Sequence, residues 1–186
     1  AYYQTVLRRM GENVTIGVNV RIVNPQWIEL EDNTLVSDGC TLIARGEPGI
    51  ILRERARLKN EVYLDTETAH GYIDIGERVY IGTRCCLHGH KGLEIGADSL
   101  LAQGILITPA SHTFADADRT IYSQPCDNRK IVIGKDCYLG MGVRVVCYAE
   151  TIGDGAVVGA GAVVTRPVPA YGVAVGVPAK IVKMRK

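Results

Sequence analysis

The 186-residue chain is poor in large rings. It has one Phe and one Trp, and Phe, Trp and Tyr together make up 6% of it. A core of stacked aromatics is thereby excluded, although 47% of the residues are hydrophobic. Charge of one sign is also missing. Lys and Arg number 21 against 20 Asp and Glu, a formal net charge of +1, which removes the electrostatic footprint of a nucleic-acid binder. No apolar run approaches the ~18 residues that suggest a membrane span. The opening residues, AYYQTVLRRM, carry no apolar signal core, so a cytoplasmic location is expected. The six cysteines (Cys40, Cys85, Cys86, Cys126, Cys137 and Cys147) include no Cys-x-x-Cys pair. That spacing suits neither a zinc framework nor a disulfide one, and reduced thiols acting as small apolar side chains are expected.

Glycine, by contrast, reaches 21 residues, and aliphatic residues recur with a period of six. Ile75, Ile81 and Leu87 stand six apart, as do Ile95, Leu101 and Ile107; Ile133, Leu139 and Val145; and Ile152, Val158 and Val164. Earlier triplets are Leu30, Val36, Leu42 and Leu52, Leu58, Leu64, and Ile16, Ile22 and Ile28 read as a seventh. Four residues after many of these anchors sits a small or modest side chain, such as Thr34, Cys40, Ala56, Cys85, Ser99, Cys137 or Ala156. Glycine often follows directly, as at Gly76, Gly82, Gly96, Gly140 and Gly159.

A period of six fits neither a helix nor a simple alternating strand. It fits a short strand with one inward aliphatic residue, then a sharp bend that needs small residues or positive φ, which glycine supplies. Three such units make a triangular coil of about 18 residues, and coils stack with parallel strands ~4.8 Å apart. A narrow triangular interior holds Ile, Leu and Val but few rings. Triplets begin at residues 30, 52, 75, 95, 133 and 152. The long interval after 95 contains no hexad over residues 113–130, which predicts a polar loop thrown out from one corner; smaller bulges are expected near 45–49 and 69–72. The alternation of Arg53, Arg55, Arg57 and Lys59 predicts four cations on one outward strand face.

The hexads, the segment IGDGAVVGAGAVVTRPVP (152–169) and the ending GVPAKIVK (176–183) together resemble the hexapeptide-repeat acyltransferase family, nearest its galactoside- and maltose-type and polysaccharide-biosynthesis sugar O-acetyltransferases. The resemblance implies an all-β fold, a left-handed parallel β-helix, with a cap over 1–13, the β-helix over 14–169 with a protruding loop at 113–130, and a C-terminal cap or tail over 170–186. It also implies transfer of an acetyl group from acetyl-CoA to a hydroxyl of a sugar, oligosaccharide or polysaccharide precursor, in a homotrimer.

Site residues follow by position in the motif. His112 stands where the hexad ITPASH opens into the loop, before Asp116, Asp118 and Arg119. Imidazole titrates near neutrality and suits a general base, the role the resemblance implies for His112. Tyr138, Met141, Ala160, Thr165, Arg166 and Lys180 are the implied acetyl-CoA contacts, with Tyr138 in place of the family's usual Trp. His88, His90 and Asp116 are candidate acceptor contacts. His88 and His90 admit a second reading, as a three-His metal site with His112 like that of the γ-type carbonic anhydrases. The His-x4-His element of that family is absent, so no metal is expected. The same residues are also compatible with N-acetylation of an amino sugar and with a non-catalytic β-helix binding module.

Overall fold

The computed structural model describes residues 2–186. After a five-residue helix, Tyr2–Val6, the chain winds into a parallel β-solenoid whose coils each give one strand to each of three sheets. The fourth coil is representative. Its strands are Tyr72–Ile75 on the first face, Tyr80–Ile81 on the second and Cys86–His88 on the third. They pair in parallel with the coil before, Ile75 opposite Leu52, Ile81 opposite Leu58 and Leu87 opposite Leu64. The first and third faces have seven strands each. The second has nine, because Gly172–Val175 continues it and Lys180–Met184 returns antiparallel along its end.

The hexad anchors are the core. From Leu30 to Val164 each is at most 2% exposed, so every coil stacks three aliphatic side chains on those of the next. Burial of this kind stabilises by roughly 25 cal/mol per Å² of apolar surface. The small positions four residues on are buried too, and several do more than fill space. The Cys40, Cys85 and Cys137 thiols donate to the carbonyls of Lys59, Ala102 and Gly153 at 3.1, 3.1 and 3.2 Å. The Ser99 hydroxyl donates likewise to Gly134 at 2.8 Å. Each bond satisfies a corner carbonyl of the following coil. Burial pushes these three thiols up, which keeps them protonated donors. All six cysteines are free.

Three sequence expectations need correction. The triplet at 16, 22 and 28 does not exist as a unit: the first coil runs through Met10, Ile16 and Ile22, while Ile28 opens the next coil opposite Ile50. Strand pairing therefore begins at Arg9–Met10, inside the segment expected to form a cap. The glycines after the anchors are not the bends with positive φ. At Gly76 a Cβ would lie 2.6 Å from the Ile95 carbonyl oxygen, so this corner needs close approach of the next coil. Positive φ falls two residues later, at Arg78, Arg84 and Asp98 as well as Gly104. Lastly, Arg53 to Lys59 do not share a strand face. Residues 53–56 turn the corner between Gly49–Leu52 and Arg57–Leu58, and Arg53 pairs with Asp74 and Glu31 rather than facing solvent alone.

The charge at Asp65 is built into the third face. Its buried carboxylate accepts from Arg45 Nε and Nη2 at 2.8 and 2.7 Å, from the Tyr63 hydroxyl at 3.1 Å and from the Glu67 N–H at 2.7 Å. Burial alone raises its pKa, but these donors outweigh it and hold the carboxyl below its ordinary value. A depressed carboxyl stabilises the fold above its unfolded pKa, and the contribution disappears as pH falls through the lower folded one. Asp65→Asn is expected to cost about 2 kcal/mol at neutral pH, the scale of hydrogen bonds to a charged group. Urea denaturation at pH 7 and pH 3 checks this: the difference between wild type and variant should shrink at the lower pH.

Candidate active site

His112 lies on a small hairpin, not in a structureless loop. Ala110–His112 pairs antiparallel with Cys126–Asn128, His112 opposite Cys126. The segment expected to be irregular holds itself together through Gln124, which is buried. Its side-chain carbonyl accepts from the Asp116 N–H, and its amide donates to the carbonyls of Asp116 and Arg119. Below the hairpin, Arg129 donates from its backbone to the Pro109 carbonyl and pairs with Asp127 and Glu150. It also lies 5.2 Å from the centre of the Tyr148 ring. These contacts tie the hairpin to the coils on either side. His112 is exposed, and its imidazole has no hydrogen-bond partner among the described residues. Asp116 is exposed as well, its carboxylate taken by the Asp118 N–H at 3.0 Å.

His88 and His90 stand at the corner one coil earlier, between the third and first faces. The structure joins them not to His112 but to Glu67, a residue that sequence reasoning does not single out. One ligand atom from each of Glu67, His88 and His90 lies within 4.8 Å of the other two. His88 Nδ1 is 2.7 Å from Glu67 Oε1, and its Nε2 is 3.2 Å from Cys86 Sγ. The two imidazole rings are 6.1 Å apart. Burial pushes the His90 pKa down, with the nearby Glu67 charge opposing it. Burial pushes the Cys86 thiol up, and the charges of Glu67 and Asp65 add to the shift. The three-His arrangement of a γ-type carbonic anhydrase is not formed by this group, since His112 is not in it.

The expected donor contacts divide among three places. Met141 and Ala160 occupy equivalent corners between the second and third faces of successive coils, with the Gly161 N–H donating to the Met141 carbonyl at 2.8 Å. Tyr138 points outward from the second face and is 45% exposed, open enough to offer its ring. Thr165 and Arg166 follow Val163–Val164 at the corner between the third and first faces, and Lys180 starts the C-terminal strand. A shallow hollow of about 430 Å³ runs along the Met141 corner, lined by Thr83, Arg84, Gln103, Gly104, Met141 and Gly142.

The Met141 corner lacks a contact that three other corners make. Two residues after an anchor, the corner N–H points out of the coil. At Glu12, Val18 and Lys135 it donates to the carboxylate of Asp32, Asp38 or Asp154 on the next coil, at 2.8 Å in each case. Met141 holds the same place after Leu139, but its partner position is Ala160, which has no acceptor. The Met141 N–H has no partner among the described residues, nor do the Thr83 and Gln103 N–H groups that hold the same place on the two coils before, so this edge of the hollow offers a row of open donors.

The coils and their hexads are those of a hexapeptide-repeat β-solenoid. The family described as the hexapeptide repeat of succinyl-transferase matches residues 72–109 and 130–166. Among curated proteins, a probable acetyltransferase of Mycobacterium tuberculosis is 35% identical over 66% of this chain and 41% of its own length. The galactoside O-acetyltransferase of Escherichia coli is 31% identical over 60% of this chain and 53% of its own length. The chain thus spans less than two thirds of either relative. Among solved structures, a mutant of AntD, an N-acyltransferase from Bacillus cereus in complex with dTDP and coenzyme A, superposes with a TM-score of 0.69. That match covers 100% of this chain and 88% of AntD at 19% identity, a likeness of fold. No helix among the described residues is long and apolar enough to cross a membrane.

Proposed function

We propose that this chain moves the acetyl group of acetyl-CoA to a hydroxyl of a sugar or polysaccharide precursor by direct transfer. The observation that carries the reading is the open N–H of Met141 beside a shallow corner groove. Small residues at Gly140, Gly142, Ala160 and Gly161 let an extended pantetheine arm approach the backbone there. The Met141 N–H donates to the thioester carbonyl and holds the negative charge that develops on it, where a preorganised donor is most effective. Tyr138 offers a flat face to the arm, and Thr165, Arg166 and Lys180 stand toward the nucleotide and its phosphates, where cations help. His112 takes the proton of the acceptor hydroxyl as its oxygen attacks the carbonyl carbon, and gives it to the CoA sulfur as the C–S bond breaks and free CoA leaves. His88, His90 and Asp116 belong to the acceptor side. The O-acetyl assignment is supported by the galactoside O-acetyltransferase among the relatives. N-acylation of an amino sugar is the second reading, favoured by the fold match to AntD.

Incubation of the protein with acetyl-CoA and a panel of neutral sugars, amino sugars and nucleotide sugars tests this. Free CoA should appear only with an acceptor present, and the product should lose its acetyl group to alkaline hydroxylamine, as an oxygen ester does. A hydroxylamine-stable product identifies an amide and overturns the O-acetyl assignment. Failure to bind acetyl-CoA at all overturns the transferase reading.

A further inference from the structure

We propose that Glu67, His88 and His90 bind a divalent transition-metal ion of the zinc type, with at least one coordination position left open. The three side chains already converge, one potential ligand atom of each lying within 4.8 Å of the others, and they are the sole such group of three or more among the described residues. Two imidazoles and one carboxylate form a borderline donor set that suits zinc and its first-row neighbours. Magnesium and calcium prefer oxygen throughout.

The scaffold fixes all three ligands. His88 ends the third strand of its coil, in register with Asp65 on the coil before. Glu67 follows Asp65 by two residues, and its N–H is bonded to the Asp65 carboxylate. The His90 carbonyl accepts from the Thr68 hydroxyl at 2.8 Å. Asp65 itself is neutralised by the bidentate contact from Arg45, so its charge is spent within the coil. The Glu67 carboxylate bonds only to His88 among the described residues.

The local chemistry accommodates an ion with little movement. A proton now lies between Glu67 Oε1 and His88 Nδ1, which are 2.7 Å apart. Two ligands at ~2.0–2.1 Å from a tetrahedral ion stand roughly 3.3 Å from each other. A small rotation of the half-buried Glu67 side chain supplies the difference, and the proton of the neutral imidazole moves to the other ring nitrogen. His88 Nε2 then carries that single proton and donates it to Cys86 Sγ, already 3.2 Å away. Cys86 thereby fixes the tautomer and ring plane from outside the ligand set, as outer-shell partners of metal-bound histidines do. The spacing of the histidines gives no sign of this arrangement, because the third ligand comes from the preceding coil. The inference shares His88 and His90 with the acceptor side of the transferase reading, but His112 is not a ligand and metal uptake is read without acetyl transfer, so the two fail separately.

Cobalt is a suitable probe, because its visible d–d bands report both occupancy and geometry. Chelator-stripped full-length protein should take up one Co²⁺ per chain, develop those bands, and lose them on addition of Zn²⁺ but not Mg²⁺. His90→Ala and Glu67→Gln are each expected to weaken binding by at least ~100-fold, more than the ~10–100-fold typical of outer-shell loss, and Cys86→Ala by ~10-fold. His112→Ala should bind like wild type whether or not acetyl transfer is ever detected. All variants are to be compared at equal folded content by circular dichroism. Glu67→Gln keeps the size of the side chain, so it separates ligand loss from misfolding. Absence of saturable binding by wild type overturns the proposal, and so does binding that survives both His90→Ala and Glu67→Gln.

Discussion

Replacing His112 with alanine is expected to lower kcat by ~10²–10⁴-fold, the range for losing a positioned acid–base group, and to leave stability nearly unchanged. The second half of that expectation follows from exposure: the imidazole has no hydrogen-bond partner among the described residues and fills no core position. Surface changes of that kind usually stay within about ±0.5 kcal/mol. The first half follows from placement. The hairpin carrying His112 is pinned by Arg129 and by the Gln124 network, so the base is held by the scaffold rather than by its own contacts. KM for acetyl-CoA should stay close to wild type, because the donor corner lies on the other side of the third face. Steady-state kinetics with the acceptor found by the screen, together with thermal melts, decide the matter. Turnover near wild type would remove His112 from the mechanism, and a large fall in melting temperature would make it a structural residue instead.

The solenoid is legible in the sequence because its code is redundant: the anchors, the small residues and the glycines repeat in one phase, and the interior confirms the first two. The role of the glycines is not legible, for a physical reason. Positive φ is carried by Gly39, Gly104, Gly142, Gly155 and Gly161 at some corners and by Arg55, Glu61, Arg78 and Arg84 at others, the last four of residue types that give no local sign of it. The glycines that directly follow the anchors mark something else, crowding by the next coil, which is a tertiary property. Glu67 is hidden in a similar way. It precedes His88 by 21 residues and reaches it only because one coil, here with a bulged corner, separates the two. The signal that could find it is the coil interval, which sets Asp65 beneath His88 and points to Glu67 when the repeat is extended from the core to neighbours across coils. The internal order of the hairpin depends on Gln124 folding back on residues 116–119, and no periodicity signals that.

Ala160→Asp is expected to abolish most activity by supplying what three other corners have. The new carboxylate would accept the Met141 N–H as Asp154 accepts that of Lys135, closing the donor proposed to hold the thioester oxygen, and would set a negative charge beside the thioester. Losing an oxyanion donor costs ~10²–10³-fold in kcat. The fold should not suffer, because the same pair is native at three other corners. This variant also tests assembly. Within one chain the Met141 corner and the His112 corner flank the third face on opposite edges, separated by an extended strand and on the order of 10 Å or more. The hollow at Met141 is shallow, and a second prism laid against it would deepen the groove and bring another chain's His112 to it. Closed cyclic symmetry satisfies every such groove at once, and a homotrimer, the assembly the family resemblance implies, is the expected form. A His112→Ala chain keeps its donor corner, and an Ala160→Asp chain keeps its base. In randomly mixed trimers from equal amounts, about one quarter of shared sites would pair a good corner with a good base, so roughly that fraction of wild-type activity should return from two inactive proteins. No recovery, despite subunit exchange shown by mass spectrometry of differently tagged chains, would place base and donor corner in one chain. Full activity from a species that light scattering measures as a monomer would end the trimer proposal.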